Sequence, residues 1–139
     1  MERWTTATLI VVTAVALAGC TGRRSPSQFS LPPGDAAAGK AAFVDLKCAR
    51  CHTVEGVDLP APTAPVAVKL GGGKPLPPTT GDLTTDIIMP SSHFARGYPA
   101  SQVQEGAASK MPDYTRTMTI GQLADLVAFL KSHYRVGVS

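Results

Sequence analysis

The feature that most constrains this chain is Cys48-Ala49-Arg50-Cys51-His52, two thiols separated by two residues and followed at once by an imidazole. The spacing brings both sulfurs to one porphyrin edge, where each adds to a vinyl group as a thioether. The next side chain is then held beneath the iron. One covalently attached haem is therefore expected, with His52 as its proximal axial ligand. Other chemistries of the same pattern fare worse. A zinc site needs four ligands, and no second cysteine pair exists. A thioredoxin-like dithiol needs an alternating strand and helix pattern around it, which is missing. A plain disulfide leaves His52 without a role.

At 139 residues and without an internal repeat, one small domain is expected. The balance of 13 basic against 10 acidic residues is mild, and two haem propionates would bring the net charge to about +1. No basic patch invites nucleic acid. Twelve prolines and thirteen glycines imply long ordered loops rather than a large sheet. A chain this short has a limited core, and a bound haem would supply part of the missing apolar surface.

The third cysteine closes a different pattern. Leu9 to Ala18 is an apolar run after a weakly basic start at Arg3. It is too short for a comfortable membrane span and suits the apolar stretch of a signal peptide. Its end, Leu17-Ala18-Gly19-Cys20, resembles the bacterial lipoprotein box. The resemblance implies cleavage before Cys20 and lipid on its sulfur and new amino group. Each buried methylene contributes about 0.8 kcal/mol, so several acyl chains give stable anchoring. The expected organisation is a signal peptide over residues 1–19, a lipidated cysteine and flexible tether over 20–34, and a haem domain over 35–139. The tether's Ser, Pro and Gly content offers little to bury. This places the domain on the extracytoplasmic, periplasmic face of a bacterial membrane.

Asp35 is suited to cap a helix from about Ala36 to Lys47, with Gly39, Ala42, Phe43 and Leu46 on one face. A glycine and an aromatic four residues apart, on a helix running into Cys-x-x-Cys-His, resemble class I c-type cytochromes. The resemblance implies that a second helix crosses closely at Gly39 and that Phe43 packs against it. It also implies a proline carbonyl that accepts a hydrogen bond from His52 and orients the ring. Pro62 and Pro65 both stand at a suitable distance. Gly71-Gly72-Gly73 lacks the lysine and hydroxyl ending of a phosphate loop and reads as a flexible turn. Gly81 to Met89 forms a short helix that Pro90 ends, with Leu83, Ile87 and Ile88 toward the haem edge.

Lys110-Met111-Pro112-Asp113-Tyr114 is similar to the distal-ligand loop of the same family. A thioether is soft and neutral, so it favours ferrous iron and raises the potential relative to histidine ligation. Pro112 stiffens the loop. Met89 is the alternative distal ligand; it also precedes a proline, but lies closer to His52 and directly after a helix. Met118 stands too near the last helix, and His93 or His133 would make a bis-histidine site. That helix is announced by Thr119-Ile120-Gly121-Gln122, a capping box. Ile120, Leu123, Leu126, Val127, Leu130 and Tyr134 follow at helical spacing, with Asp125 off the stripe. Asp125 to Lys131 resembles the family's terminal helix, which implies that Leu126 and Phe129 cross the first helix at Gly39.

The expected fold is all-α: a cytochrome c-like arrangement of three to four short helices around one covalent haem c, with long Pro/Gly-rich loops. The resemblance covers about Asp35 to Tyr134. It implies transfer of single electrons, not turnover of a substrate. The protein would act as a tethered shuttle or as a subunit of a membrane respiratory or photosynthetic complex. Its partners would be redox proteins such as a quinol-oxidising complex or a terminal oxidase. The alternative is a haem-based sensor or peroxidase-like protein with an open distal site, which would bind carbon monoxide where a carrier resists it.

Overall fold

The computed structural model describes residues 29–137. The expected signal segment and Cys20 lie outside the described residues. The chain divides into two units, Met1–Ser30 and Leu31–Ser139, and the helices and strands described here all lie in the second.

Helix α1 spans Ala36–Asp45 and begins where Asp35 accepts from the Ala38 amide at 2.7 Å. Its buried face is Gly39, Ala42 and Phe43. The helix stops two residues short of Lys47. Lys47 itself takes a left-handed conformation with φ of 63°, and a single 3₁₀ turn over Cys48–Arg50 follows. This break turns the chain, so the cysteines sit on a tight turn instead of a continued helix.

Helix α2 runs over Thr80–Ile88, capped by a reciprocal Thr79–Asp82 box, and buries Leu83 and Ile87. Met89 ends it just before Pro90. A single turn, α3, covers Ala100–Val103. Helix α4 spans Ile120–Ser132, and its Thr119–Gln122 capping box forms as the sequence predicts. Leu123, Leu126, Val127, Phe129 and Leu130 are buried on it. The two ends of the expected stripe depart from it: Ile120 is exposed and Tyr134 lies beyond the helix.

Helices α1 and α4 cross at Gly39. A Cβ there would collide with the Asp125 carbonyl and lie 2.7 Å from the Phe129 Cβ. Only glycine allows the two backbones to approach this closely. Phe43 then meets Phe129 edge-on, with ring centroids 5.7 Å apart. Asp125, off the apolar stripe, accepts from the Asp35 amide at 2.7 Å and pins the start of α1. Gly34 passes the Ala124 carbonyl as closely as Gly39 passes Asp125, and Leu31 packs against the core. The compact unit therefore begins at Leu31, four residues before the expected boundary, because the end of the tether rests on α4.

The helical frame carries more strand than an all-α fold. Six short pieces pair in twos: β1 (His52–Val54) with β2 (Val68–Leu70), β3 (Gly72–Lys74) with β6 (Tyr134–Val136), and β4 (Gln104–Glu105) with β5 (Ala108–Ser109). The first two pairs are parallel, the third antiparallel. Prolines and glycines keep these segments out of helices, yet their backbone groups still need partners near the core. The triple glycine is thus a buried strand, not a flexible turn. Gly71 and Gly72 adopt positive φ, and a Cβ on Gly72 would press on the Glu55 carboxylate. That carboxylate bridges Lys69 of β2 at 2.9 Å and Arg135 of β6 at 2.7 Å, clasping both parallel pairs.

Two outcomes follow for stability. Gly39→Ala is expected to cost about 1–3 kcal/mol by overpacking, whereas Gly121→Ala, where a Cβ meets only the Thr119 hydroxyl at 3.8 Å, should be neutral or stabilise by up to about 1 kcal/mol. Thermal unfolding of the two variants checks the difference in sign. The Lys69 and Arg135 hydrogen bonds hold the Glu55 carboxyl below the usual range. Because its folded pKa is depressed, its contribution is present above the unfolded value of about 4.3 and is lost as pH falls through the folded one. The stability advantage of wild type over Glu55→Gln should therefore be seen at pH 7 and vanish on acidification below pH 4, measured by thermal midpoints across that range.

Candidate haem crevice

The 3₁₀ turn after α1 presents Cys48, and β1 begins at His52, so the turn and the strand together hold the two thiols and the imidazole. They open onto a crevice with two lobes, of about 440 and 120 Å³. The larger is walled by Cys51, Pro65, Val66 and Val68 on one side and by Phe94, Val103 and Met111 on another. The smaller is walled by Cys48, Leu83, Ile87, Tyr114, Leu126 and Leu130. His52, Leu70, Asp86 and Met111 line both. The walls are overwhelmingly apolar, as a flat macrocycle requires.

Burial acts on the two kinds of ligand in a consistent way. It pushes the His52 imidazole below its usual value, and the Val68 backbone opposite it offsets only part of that shift. The ring is therefore neutral at physiological pH, with a lone pair available for a metal. Burial pushes the Cys48 thiol up to about 11. Cys48 thus lacks the lowered pKa that activates a catalytic thiol. Among the described residues, no three His, Cys, Asp or Glu side chains gather in a metal-binding cluster.

The ring of His52 lies 6.5 Å from that of Phe43, which links the imidazole to the helix crossing. Its buried Nδ1 has no hydrogen-bond partner among the described residues. The expected proline carbonyl does not fill that place. The strand register sets Val68 opposite His52, and Pro65 contributes to the wall of the larger lobe.

The distal candidates separate by position. Met111 lines both lobes. Met89 caps α2, is 57% exposed and lines neither. Met118 reaches the smaller lobe, and His93 the rim of the larger, where its Nδ1 lies 3.2 Å from Asp86. His133 lines neither lobe; its Nδ1 pairs with the Phe129 carbonyl at 2.8 Å. Of the apolar α2 residues expected at the haem edge, Leu83 and Ile87 line the smaller lobe and Ile88 does not.

Several wall and rim residues escaped the sequence reading. Asp86 lines both lobes with no signal beyond its place on α2. Tyr98 reaches from the 91–99 loop to β2, where its hydroxyl accepts from the Lys69 amide at 3.0 Å. Tyr114 donates to the Leu46 carbonyl at 3.0 Å, just ahead of the cysteines. Only its nearness to Met111 in sequence could have drawn attention to it.

Two thiols and a neutral imidazole on one wall, a thioether lining both lobes and apolar surfaces between fit a covalently held haem. The family model for cytochrome c matches residues 36–133, more than half of the chain. No curated protein and no solved structure gives a match. Since the matched segment runs from the first residue of α1 to the residue after α4 and includes the thiols, the imidazole and the crevice walls, this chain belongs to the cytochrome c family, electron-transfer proteins with a covalently bound haem c.

Proposed function

We propose that this cytochrome carries single electrons at a membrane surface, with His52 and Met111 as the axial ligands of its haem and Cys20 as its lipid anchor. The observation that carries the ligand assignment is that Met111, alone among the candidate distal side chains, lines both lobes of the crevice together with His52. When bound, the haem supplies the one-electron couple of its iron. Cys48 and Cys51 tether it through thioethers. His52, kept neutral by burial, offers a nitrogen lone pair, and Met111 offers a soft neutral sulfur that favours the ferrous state. Leu83, Ile87, Leu126 and Leu130 exclude water from one lobe, and Val66, Val68 and Phe94 from the other. Two fixed protein ligands keep the site nearly unchanged between oxidation states, which suits electron transfer and leaves no open position for a substrate.

The membrane assignment rests on the lipoprotein-like Leu17-Ala18-Gly19-Cys20. A tether confines the domain to two dimensions and raises its effective concentration near membrane oxidoreductases. Such partners include a quinol-oxidising complex or a terminal oxidase, which the domain would serve as a shuttle or as a fixed subunit on the periplasmic face.

The ligand assignment is tested on haem-loaded protein by its optical spectrum. Wild type should show c-type bands and the weak far-red sulfur-to-iron band in the ferric state, and should resist carbon monoxide in the ferrous state. Met111→Ala should abolish the far-red band and admit carbon monoxide, while Met89→Ala leaves both properties unchanged. Retention of the band in Met111→Ala sinks the assignment. For the anchor, Cys20→Ser expressed in a bacterial host with lipoprotein processing should move the cytochrome from the membrane fraction to the soluble one. Unchanged membrane association in that variant would remove Cys20 from the proposal.

A further inference from the structure

Hydrogen bonds hold the loop on both the N-terminal and the C-terminal side of Met111. On the N-terminal side its own amide donates to the Ser109 hydroxyl at 3.1 Å. Ser109 ends β5, and its amide donates in turn to the Ser91 hydroxyl at 3.0 Å. The Lys110 amide closes on the Val103 carbonyl at 3.0 Å. The loop therefore starts from a fixed point on the β4–β5 hairpin. On the C-terminal side, Tyr114 reaches across the smaller lobe and donates to the Leu46 carbonyl, a residue 68 positions away in sequence. Leu46 ends α1, two residues before Cys48.

The second bond meets two needs at once. A phenol lining an apolar lobe requires a partner for its hydroxyl, and a carbonyl at a helix C-terminus lacks an acceptor role within its own helix. Leu46 and Tyr114 answer each other. The bond also joins the segment that delivers the cysteines to the segment that carries the distal thioether. Any outward movement of residues 111–114 must break or stretch it.

We infer that Tyr114, with Ser109, is a positioning residue that holds the Met111 sulfur in the crevice, the Tyr114 hydroxyl setting how far the methionine loop stands from the cysteine turn. The inference rests on the reading of Met111 as the distal ligand. Without the hydroxyl the ring still fills its place in the wall, but the loop loses its hydrogen bond to the segment that delivers the cysteines. The state in which the sulfur has swung away becomes more populated, while the helical core is untouched.

The test uses imidazole, which competes with the distal sulfur for ferric iron. Its affinity rises in proportion to the population of the displaced loop. Titration of haem-loaded ferric protein, followed by loss of the far-red band, is compared with the thermal unfolding midpoint. Tyr114→Phe should keep the band without imidazole and bind imidazole about fivefold more tightly, the factor for one lost hydrogen bond. Ser109→Ala should shift in the same direction. Thr79→Ala is the control. It removes the α2 cap at a residue lining neither lobe, and should lower the midpoint with wild-type imidazole affinity. Wild-type affinity in Tyr114→Phe, or equal tightening in Thr79→Ala, overturns the inference. If Tyr114→Phe does not hold haem, Ser109→Ala decides on the same criterion. The underlying ligand reading fails by a separate sign: a wild-type ferric protein without the far-red band, or a Met111→Ala variant that binds imidazole no more tightly than wild type. The inference about Tyr114 then falls with it.

Discussion

The close approach of α1 and α4 at Gly39 is the contact from which the rest of the domain is positioned. With no side chain at that residue, the α1 backbone lies against the Asp125 carbonyl, and Phe43 meets Phe129 edge-on one turn later. The ring of His52 stands 6.5 Å from Phe43. A short line of aromatic contacts thus runs from the crossing to the proximal ligand. Asp125 reinforces the geometry by receiving the Asp35 amide, so one residue of α4 fixes both the entry and the middle of α1. A bulkier residue at position 39 would push the helices apart and disturb the site that follows α1.

Around that frame the crevice divides its labour. The helices supply apolar wall from Leu83, Ile87, Leu126 and Leu130, while His52 comes from a short strand and Met111 from a loop held by hydrogen bonds on both sides. One desolvating environment serves both ligand types on the proximal side. It keeps the imidazole neutral and the Cys48 thiol protonated. The first outcome suits a metal ligand. The second leaves Cys48 without the lowered pKa of an activated thiol. Glu55 binds Lys69 and Arg135 and joins the two parallel strand pairs, while Asp86 is a carboxylate residue that lines both lobes.

The short strands show why a Pro- and Gly-rich chain needs more than helices. Residues 52–74 contain no helix, yet Gly71, Gly72 and Gly73 are buried. Gly72 and Gly73 pair with β6, from the far end of the chain, while β1 and β2 pair with each other. Tyr98 adds a side-chain hydroxyl on β2, beside Lys69 and Ala67. These pairings give backbone groups near the core the partners that burial demands.

What the sequence alone determined is everything that depends on neighbours within about one helical turn. The Cys-x-x-Cys-His spacing, the Asp35 cap, the Thr119–Gln122 box and the apolar stripe of α4 are short-range patterns, and each was legible because local geometry leaves few alternatives. The Gly39 crossing was expected from the resemblance to class I c-type cytochromes, not from the helical pattern by itself. The tertiary structure alone decided the break at Lys47, the start of the compact unit at Leu31, the strand formed by the triple glycine and the hydrogen bond from Tyr114 to Leu46. It also set Val68 opposite His52 in the β1–β2 register. The partner in such cases comes from a distant segment, 68 residues away for Tyr114, as it does for the Asp35–Asp125 bond at 90. Such pairings leave no periodic trace, because a single hydroxyl or a small residue serves equally well in many local conformations and acquires its role only when the chain closes around it.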